Sequence, residues 1–378
     1  MSFRYKAGFI QEFFNPLTAD SVLSTLYSWG SGNSGQLGQG NLVYRSSPVQ
    51  VGSLTNWSKA TGGQYFAIAT KTDGTIWSWG WGSNGKLGNG AVVDKSSPTQ
   101  IGALTTWLQA ACSYYTSYSI KTDGTLWAWG QNDYGQLADR TLANKSSPVQ
   151  IGSETNWRKV SAGYLECSAI KTDGTLWGWG YNVYGSIGNN SIISRSSPVQ
   201  VGSDTNWADI SAGFTTVIGI RTNGTLWGWG ENYGGSIGIG LTTPRSSPTQ
   251  IGALTDWASV YGCTGAIYAI KTDGSLWSWG LNNAGQLGHN NQISRSSPVQ
   301  VGSLTNWSCV AVNSANFVIA SQSNGTIWSC GQSGQGQTGH NDNVYRSSPT
   351  QIGSRTSWST QGIGSTTQAA FATIETNP

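Results

Sequence analysis

Apolar residues along this chain come in short bursts, each stopped by glycine or by a cluster of polar turn residues. That is the pattern of short β-strands, not of helical stripes. Residues 157–201 show the unit. Trp157 to Ala162 is β-compatible and stops at Gly163, and Cys167 to Lys171 reads as a second strand. Asp173-Gly174 then predicts a hairpin with a type I′ turn, because strand formers flank it on both sides. Leu176 to Trp179 returns, with Trp177 and Trp179 on opposite faces, since side chains alternate with period two. Gly180, Gly185 and Gly188 punctuate a long turn, and Pro198 to Val201 supplies a short outer strand, where proline is tolerated.

This unit recurs. W-x-W-G stands at Trp77–Gly80, Trp127–Gly130, Trp177–Gly180, Trp227–Gly230 and Trp277–Gly280, with imperfect copies at Tyr27–Gly30 and Trp328–Gly331. Ser-Ser-Pro recurs in step, and a lone tryptophan follows each of its prolines by nine residues, from Trp57 to Trp358. The period is 50 residues, with one extra residue entering between Trp307 and Trp328. Four short strands per period of this length predict an all-β fold, a seven-bladed β-propeller of four-stranded antiparallel blades. One small sheet cannot bury tryptophans on both faces, so the sheets must cover one another radially. Each indole N–H then needs an acceptor.

The two ends predict how the ring closes. Thr373-Ile374-Glu375-Thr376 resembles Ala169-Ile170-Lys171-Thr172, and the chain stops where other repeats have the hairpin glycine. The continuation stands at the start, in Ser24-Thr25-Leu26-Tyr27-Ser28-Trp29-Gly30. One blade is therefore expected to be built from N- and C-terminal strands, which removes both open edges. The domain reading is residues 24–378 as the propeller and residues 1–23 as a segment outside the repeat.

Composition agrees. Glycine numbers 52 and tryptophan 20, while charged residues make up 10% of the chain, far below the usual share of about 25%. A net charge of +3 predicts no strong field for nucleic acid, and no apolar run is long enough for a transmembrane helix. Arg4 and Lys6 precede a stretch broken by Gln11 and Glu12, which makes a poor signal peptide. Cys112, Cys167, Cys263, Cys309 and Cys330 are odd in number and irregular in spacing, so they are read as small buried residues.

Segments such as Lys271-Thr272-Asp273-Gly274-Ser275-Leu276-Trp277, followed by Gly280-Leu281-Asn282-Asn283-Ala284-Gly285-Gln286-Leu287-Gly288, resemble RCC1 repeats. The resemblance covers about residues 24–378. It implies the propeller independently of the strand pattern. The family includes the eukaryotic exchange factor for the GTPase Ran, a bacterial protein inhibitor of β-lactamase, and many bacterial and viral repeat proteins. Exchange activity goes with a β-wedge insertion and a basic tail, and repeats this even leave no room for a wedge. The near-identity of the repeats is similar to bacterial and phage members.

Candidate chemistry is sparse. His289 and His340 occupy one repeat position on adjacent blades and read as exposed loop residues. No nucleophile elbow or phosphate loop is present, so no catalytic residue, metal ligand or cofactor is expected. Arg45, Lys95, Lys145, Arg195, Arg245, Arg295 and Arg346 fill one repeat position, and Lys71, Lys121, Lys171, Arg221 and Lys271 another. These rings are read as blade structure, with long stems paired between blades or stacked on tryptophan, in preference to an anion collar.

Binding is expected where the repeats differ. One variable loop follows W-x-W-G and carries Trp81, Asp133, Tyr134, Tyr181, Tyr184, Glu231 and Tyr233. The other follows the Ser-Ala-Gly turn and carries Tyr65, Tyr114, Tyr115, Tyr164, Glu166, Phe214 and Tyr261. Such aromatics either offer rigid contact area to a protein or glycan, or plug the channel and pack locally. Residues 1–23 hold Phe3, Tyr5, Phe9, Phe13 and Phe14, too many aromatics to leave in water, and read as an anchor or docking segment. Together these features predict a non-enzymatic binding or structural propeller, a phage or virus surface protein of the tail or virion. Its partners would be an assembly held through the N-terminal segment, or a surface protein or glycan, with no nucleic acid and no membrane insertion. The alternative is a regulatory interaction module, resembling the hydrolase inhibitor or the exchange factor.

Overall fold

The unit read from residues 157–201 forms one antiparallel meander of the strands Trp157–Ala162, Glu166–Lys171, Leu176–Gly180 and Arg195–Gln200. It belongs to a computed structural model that describes residues 23–312 and 316–376. The described residues form seven such sheets. Numbered along the chain, blades 2 to 7 begin at Trp57, Trp107, Trp157, Trp207, Trp257 and Trp307. Blade 1 combines Trp358–Ser365 and Ala369–Thr376 with Leu23–Gly30 and Arg45–Gln50. The chain is thus an all-β seven-bladed propeller closed by its two ends.

Closure follows the expected register. Leu26 pairs with Thr373 and Thr25 with Ile374, within a ladder running from Leu23–Thr376 to Gly30–Ala369. No edge of either terminal strand is left open within the sheet.

The hairpin turn differs from the expected type. Positive φ falls on Gly174 alone (79°), and Asp173 keeps negative φ. Gly174 donates to the Lys171 carbonyl at 3.0 Å, and Lys171 donates to that of Thr175 at 3.0 Å. This is a three-residue loop, a type I turn followed by a left-handed glycine. Asp173 stabilises it by accepting from the Thr175 N–H at 2.9 Å and from its hydroxyl at 2.7 Å. Gly174 is needed twice over, since a Cβ there would also meet the Thr205 carbonyl oxygen of the next blade at 2.1 Å. The outer strand also starts earlier than read, at Arg195, and Pro198 falls in the irregular stretch between the pairs Gly180–Arg195 and Gly178–Val199.

The core lies between blades. One cluster joins Ile170, Leu176 and Val201 of blade 4 to Trp207, Val217 and Trp229 of blade 5, each at most 2% exposed. Burying a side chain of this size contributes roughly 1.5–3 kcal/mol, so repeated sheet-on-sheet contact carries the fold. The second W-x-W-G tryptophan latches each junction. Trp79, Trp179 and Trp229 donate at 2.9 Å to the carbonyls of Gln36, Gln136 and Ser186 in the preceding blade. The first tryptophan donates to a turn hydroxyl, as Trp177 does to Thr175 at 2.9 Å. The lone tryptophans depart from the expected pairing: Trp57 donates to the Leu54 carbonyl at 3.0 Å, but the buried N–H of Trp157 finds no acceptor among the described residues. The five cysteines are unpaired, and four are buried.

The basic position on the second strand serves the blade. Lys121 lies 3.6 Å from the Trp127 ring and 4.7 Å from that of Trp107, and Arg221 lies 3.8 Å from Trp227 and 5.0 Å from Trp207. Each cation is held by two indoles of its own blade. Lys171 and Lys271 stack likewise and pair with Glu154 at 2.7 Å and Asp256 at 3.3 Å.

Candidate functional site

In a four-stranded meander, the loop after the first strand and the loop after the third emerge at the same end. Both variable loops therefore share one face. Backbone bonds tie them together within each blade: Trp81 donates to the Tyr65 carbonyl at 2.8 Å, Gln131 to Tyr115 at 3.1 Å and Tyr181 to Leu165 at 3.0 Å. Neighbouring blades are tied as well, Gln64 donating to Tyr114 at 2.9 Å and Tyr164 to Phe214 at 2.8 Å.

These ties set the aromatic residues edge to edge. Tyr65 meets Trp81 with ring centroids 6.1 Å apart, Trp81 meets Tyr115 at 6.5 Å, and Tyr115 meets Tyr114 at 5.7 Å. Tyr114 stands edge-on to Tyr164 at 4.9 Å and to Phe214 at 5.6 Å, and Tyr164 stacks on Phe214 at 4.2 Å. Outside this arc, Tyr134 meets Tyr181 at 5.0 Å and Tyr181 meets Tyr184 at 6.4 Å. The result is a crescent over blades 2 to 5. On the other side of the mouth the loops carry Leu281, Gln332 and Ser31 in place of rings. Tyr233 is 67% exposed and makes no ring contact among the described residues. Tyr261, expected in the turn, lies on the inner strand Trp257–Gly262 and faces the channel. Phe3, Tyr5, Phe9, Phe13 and Phe14 lie outside the described residues.

The crescent borders a central channel of about 460 Å³ lined by the inner strands of all seven blades, with Tyr114, Tyr164 and Phe214 among its walls. Lys159 and Asp209 form an ion pair inside it. Asp209 also accepts from the N–H groups of Ile210 at 2.9 Å and Val260 at 3.2 Å. Its carboxylate is thus spent on structure.

Two buried ionisable groups lie under the crescent. Lys86 is fully buried, its ammonium 3.6 Å from the Trp81 ring and 5.3 Å from the rings of Tyr115 and Phe66, with no hydrogen-bond acceptor among the described residues. Burial pulls it down to about 7, opposed by the charge of Asp94. The equivalent residues are Gln36, Gln136, Ser186, Ser236, Gln286 and Gln337. That break in the repeat is the signal by which Lys86 could have been singled out in the sequence, and it was missed. Glu166 is also fully buried, and burial pushes its carboxyl up to about 8.

The histidines are half-buried, not exposed. His289 Nε2 lies 3.0 Å from the Ser278 hydroxyl and His340 Nε2 lies 2.9 Å from that of Ser329. Burial, and then Arg346, pull His340 down to about 4, so it is neutral at physiological pH. Among the described residues no group of three or more His, Cys, Asp and Glu side chains is placed to hold a metal ion.

A family model described as the RCC1-like domain matches residues 25–372. No curated protein matches the chain in sequence. Several solved structures share its shape. Prp20p from Saccharomyces cerevisiae, described with its binding to Gsp1p and histones, superposes with a TM-score of 0.83 at 17% identity, over 95% of this chain and 93% of its own. Yeast RCC1 (Prp20) with Kap60 bound gives 0.83 at 16% identity, over 99% and 97%. Human WBSCR16 gives 0.81 at 16% identity, over 93% and 99%. At these identities the likeness speaks for the fold alone. With seven blades, terminal-strand closure and a family match running through all of them, this chain belongs to the RCC1-like domain family.

Proposed function

We propose that this protein is a non-catalytic binding module that engages a protein or glycan through the aromatic crescent at one mouth of its channel. The carrying observation is the Tyr164–Phe214 stack with Tyr114 against it, built from the loops that differ between repeats. A position repeated in every blade serves the blade, whereas these rings break the symmetry. Tyrosine and tryptophan give rigid contact area with a polar handle. The finer reading is that residues 1–23 anchor the propeller to a larger assembly, a phage tail or virion, and leave the crescent outward. Its support is the aromatic content of that segment and the near-identity of the repeats. A ligand array probed with the parent chain and with Tyr164→Ala/Phe214→Ala tests the crescent. Binding that the double variant loses supports it, and binding that survives removes it. Deleting residues 2–20 should release the chain from its assembly without unfolding it, and unchanged incorporation would rule out the anchor.

The second reading is a regulatory partner of one protein, a hydrolase inhibitor or an exchange factor. The shared fold with Prp20p, a protein that binds Gsp1p, favours it. A pull-down returning a single GTPase or hydrolase would select this reading over the first.

A further inference from the structure

We infer that the arc of the mouth over blades 3 to 5 receives a cationic side chain, an arginine or lysine of a protein partner, against the Tyr164–Phe214 stack. The inference rests on the crescent being the binding surface, and it names what that surface selects.

The rings come first. Tyr164 and Phe214 lie nearly parallel, 25° apart in plane, and Tyr114 closes one side edge-on. Ring faces carry the negative part of the aromatic quadrupole and attract cations.

Charge comes second. The mouth loops of blades 3 to 5 run over residues 113–115, 131–144, 163–165, 181–194, 213–215 and 231–244. They contain Asp133, Asp139 and Glu231 against one base, Arg140, whose backbone is tied to Ser196 on the outer strand of blade 4, and Glu166 follows directly on the blade 4 turn. Glu166 is fully buried. Its Oε2 accepts from the Leu165 N–H at 3.2 Å, and its Oε1 finds no donor among the described residues. A Cβ on Gly163 would lie 2.0 Å from that Oε1 and 2.3 Å from the Gly213 carbonyl oxygen. The carboxyl therefore sits at the root of the two turns that carry the stack. Glu231 accepts from the Thr215 hydroxyl, one residue past Phe214. A buried carboxyl keeps its proton unless a cation is near, so an approaching cation would draw Glu166 into its ionised form and be attracted by it.

The other end of the crescent supplies the third observation. There Lys86 already holds its ammonium 3.6 Å from the Trp81 ring. One end of the crescent is filled by the chain's own cation, and among the described residues no cation lies over the Tyr164 and Phe214 rings at the end with the carboxyls. A sugar would stack on the rings and donate its hydroxyls to the carboxyls but bring no positive charge to them, and an anion would be repelled. A planar guanidinium matches a stacked pair especially well.

Titration calorimetry on the full chain tests this with a short arginine-containing peptide and its citrulline twin, which keeps the shape and loses the charge. The arginine peptide should bind at least about tenfold more tightly than the twin, and Tyr164→Leu and Glu231→Gln should each weaken it by about fivefold or more. Circular dichroism melts keep the comparison to folded protein, and Phe214→Leu serves if Tyr164→Leu does not fold. Equal binding of both peptides, lost in Tyr164→Leu, would overturn the cation and leave the crescent standing as the binding surface. Binding of neither peptide would overturn the cation, and binding indifferent to Tyr164→Leu and Glu231→Gln would overturn both readings.

Discussion

Trp229 donates its indole N–H to the backbone carbonyl of Ser186 across the junction between two blades, at 2.9 Å. Both residues are at most 1% exposed, so neither group has water as a substitute partner. Trp229→Phe removes the donor together with the five-membered half of the indole. It should destabilise the propeller by more than about 1–3 kcal/mol, the cost of a buried carbonyl left without a partner, because the cavity left by the lost ring atoms adds to it. Urea unfolding of the variant against the parent measures this. A loss within error would mean that the latch is incidental to packing.

Ring closure rests on Ala369–Thr376 lying between Leu23–Gly30 and Trp358–Ser365. Truncation after Gln368 removes that strand and opens two edges at once. The truncated chain should lose the parent's cooperative melt and aggregate at concentrations where the parent stays monodisperse. Size-exclusion chromatography and a thermal scan check both. A monomeric, cooperatively melting truncation would mean that closure is dispensable.

Lys86→Gln should stabilise the fold. Glutamine at this position accepts from the backbone two residues earlier, as Gln136 does from the Tyr134 N–H at 2.8 Å, and it removes a buried ammonium. Lys86 stands at about 7 in the folded chain against an ordinary value of 10.5. Between those values the unfolded chain holds more protons, so the parent gains stability as pH rises. The advantage of Lys86→Gln is therefore full below about pH 7 and shrinks towards pH 10.5. Stability curves of both chains across that range would show it, and parallel curves would contradict it.

Glu166 has the opposite slope. Burial holds its folded carboxyl at about 8, against an ordinary value of 4.5, so between those values the folded chain holds more protons and loses stability as pH rises. Glu166→Gln should remove this slope, its advantage growing from about pH 4.5 and complete above about pH 8. Ser186→Lys offers a second check. Ser186 is the repeat equivalent of Lys86, and Glu166 that of Phe66, whose ring lies 5.3 Å from the Lys86 ammonium. An ammonium at 186 should lower the Glu166 titration midpoint by more than about one pH unit, read by carbon NMR of the carboxyl. An unmoved midpoint would mean that the two positions do not meet in blade 4.

Tyr164→Ala should cost little stability beside Trp229→Phe. Its ring is half-buried at the rim and its main contact is the stack on Phe214, worth about 1 kcal/mol. A much larger loss in urea unfolding would make the crescent part of the scaffold.

Much of this molecule could be read from one chain. Tryptophan spacing predicted seven blades, and the likeness of Thr373-Ile374 to Ala169-Ile170 predicted the closing pair, because strand identity depends on local residue order. The shared face of the two variable loops was within reach too, since alternate loops of a meander must emerge together. The turn at Asp173-Gly174 was misassigned because one dipeptide serves both a two-residue and a three-residue hairpin. The choice between them follows from the partner strand, where Lys171 bonds to Thr175.

What the order of residues determined by itself is the blade: its four strands, its tryptophan pair, its count and the place where the ends join. Only the tertiary structure decided which side chains meet between blades. Phe214 stacks on Tyr164 fifty residues away, Lys86 lies over Trp81, and Glu166 is shut in beside Gly163 and Gly213, because each blade turns its loops towards its neighbours. A repeat announces itself along the chain through local period. A site made where repeats differ depends on distances across the ring, and those exist only once the ring has closed.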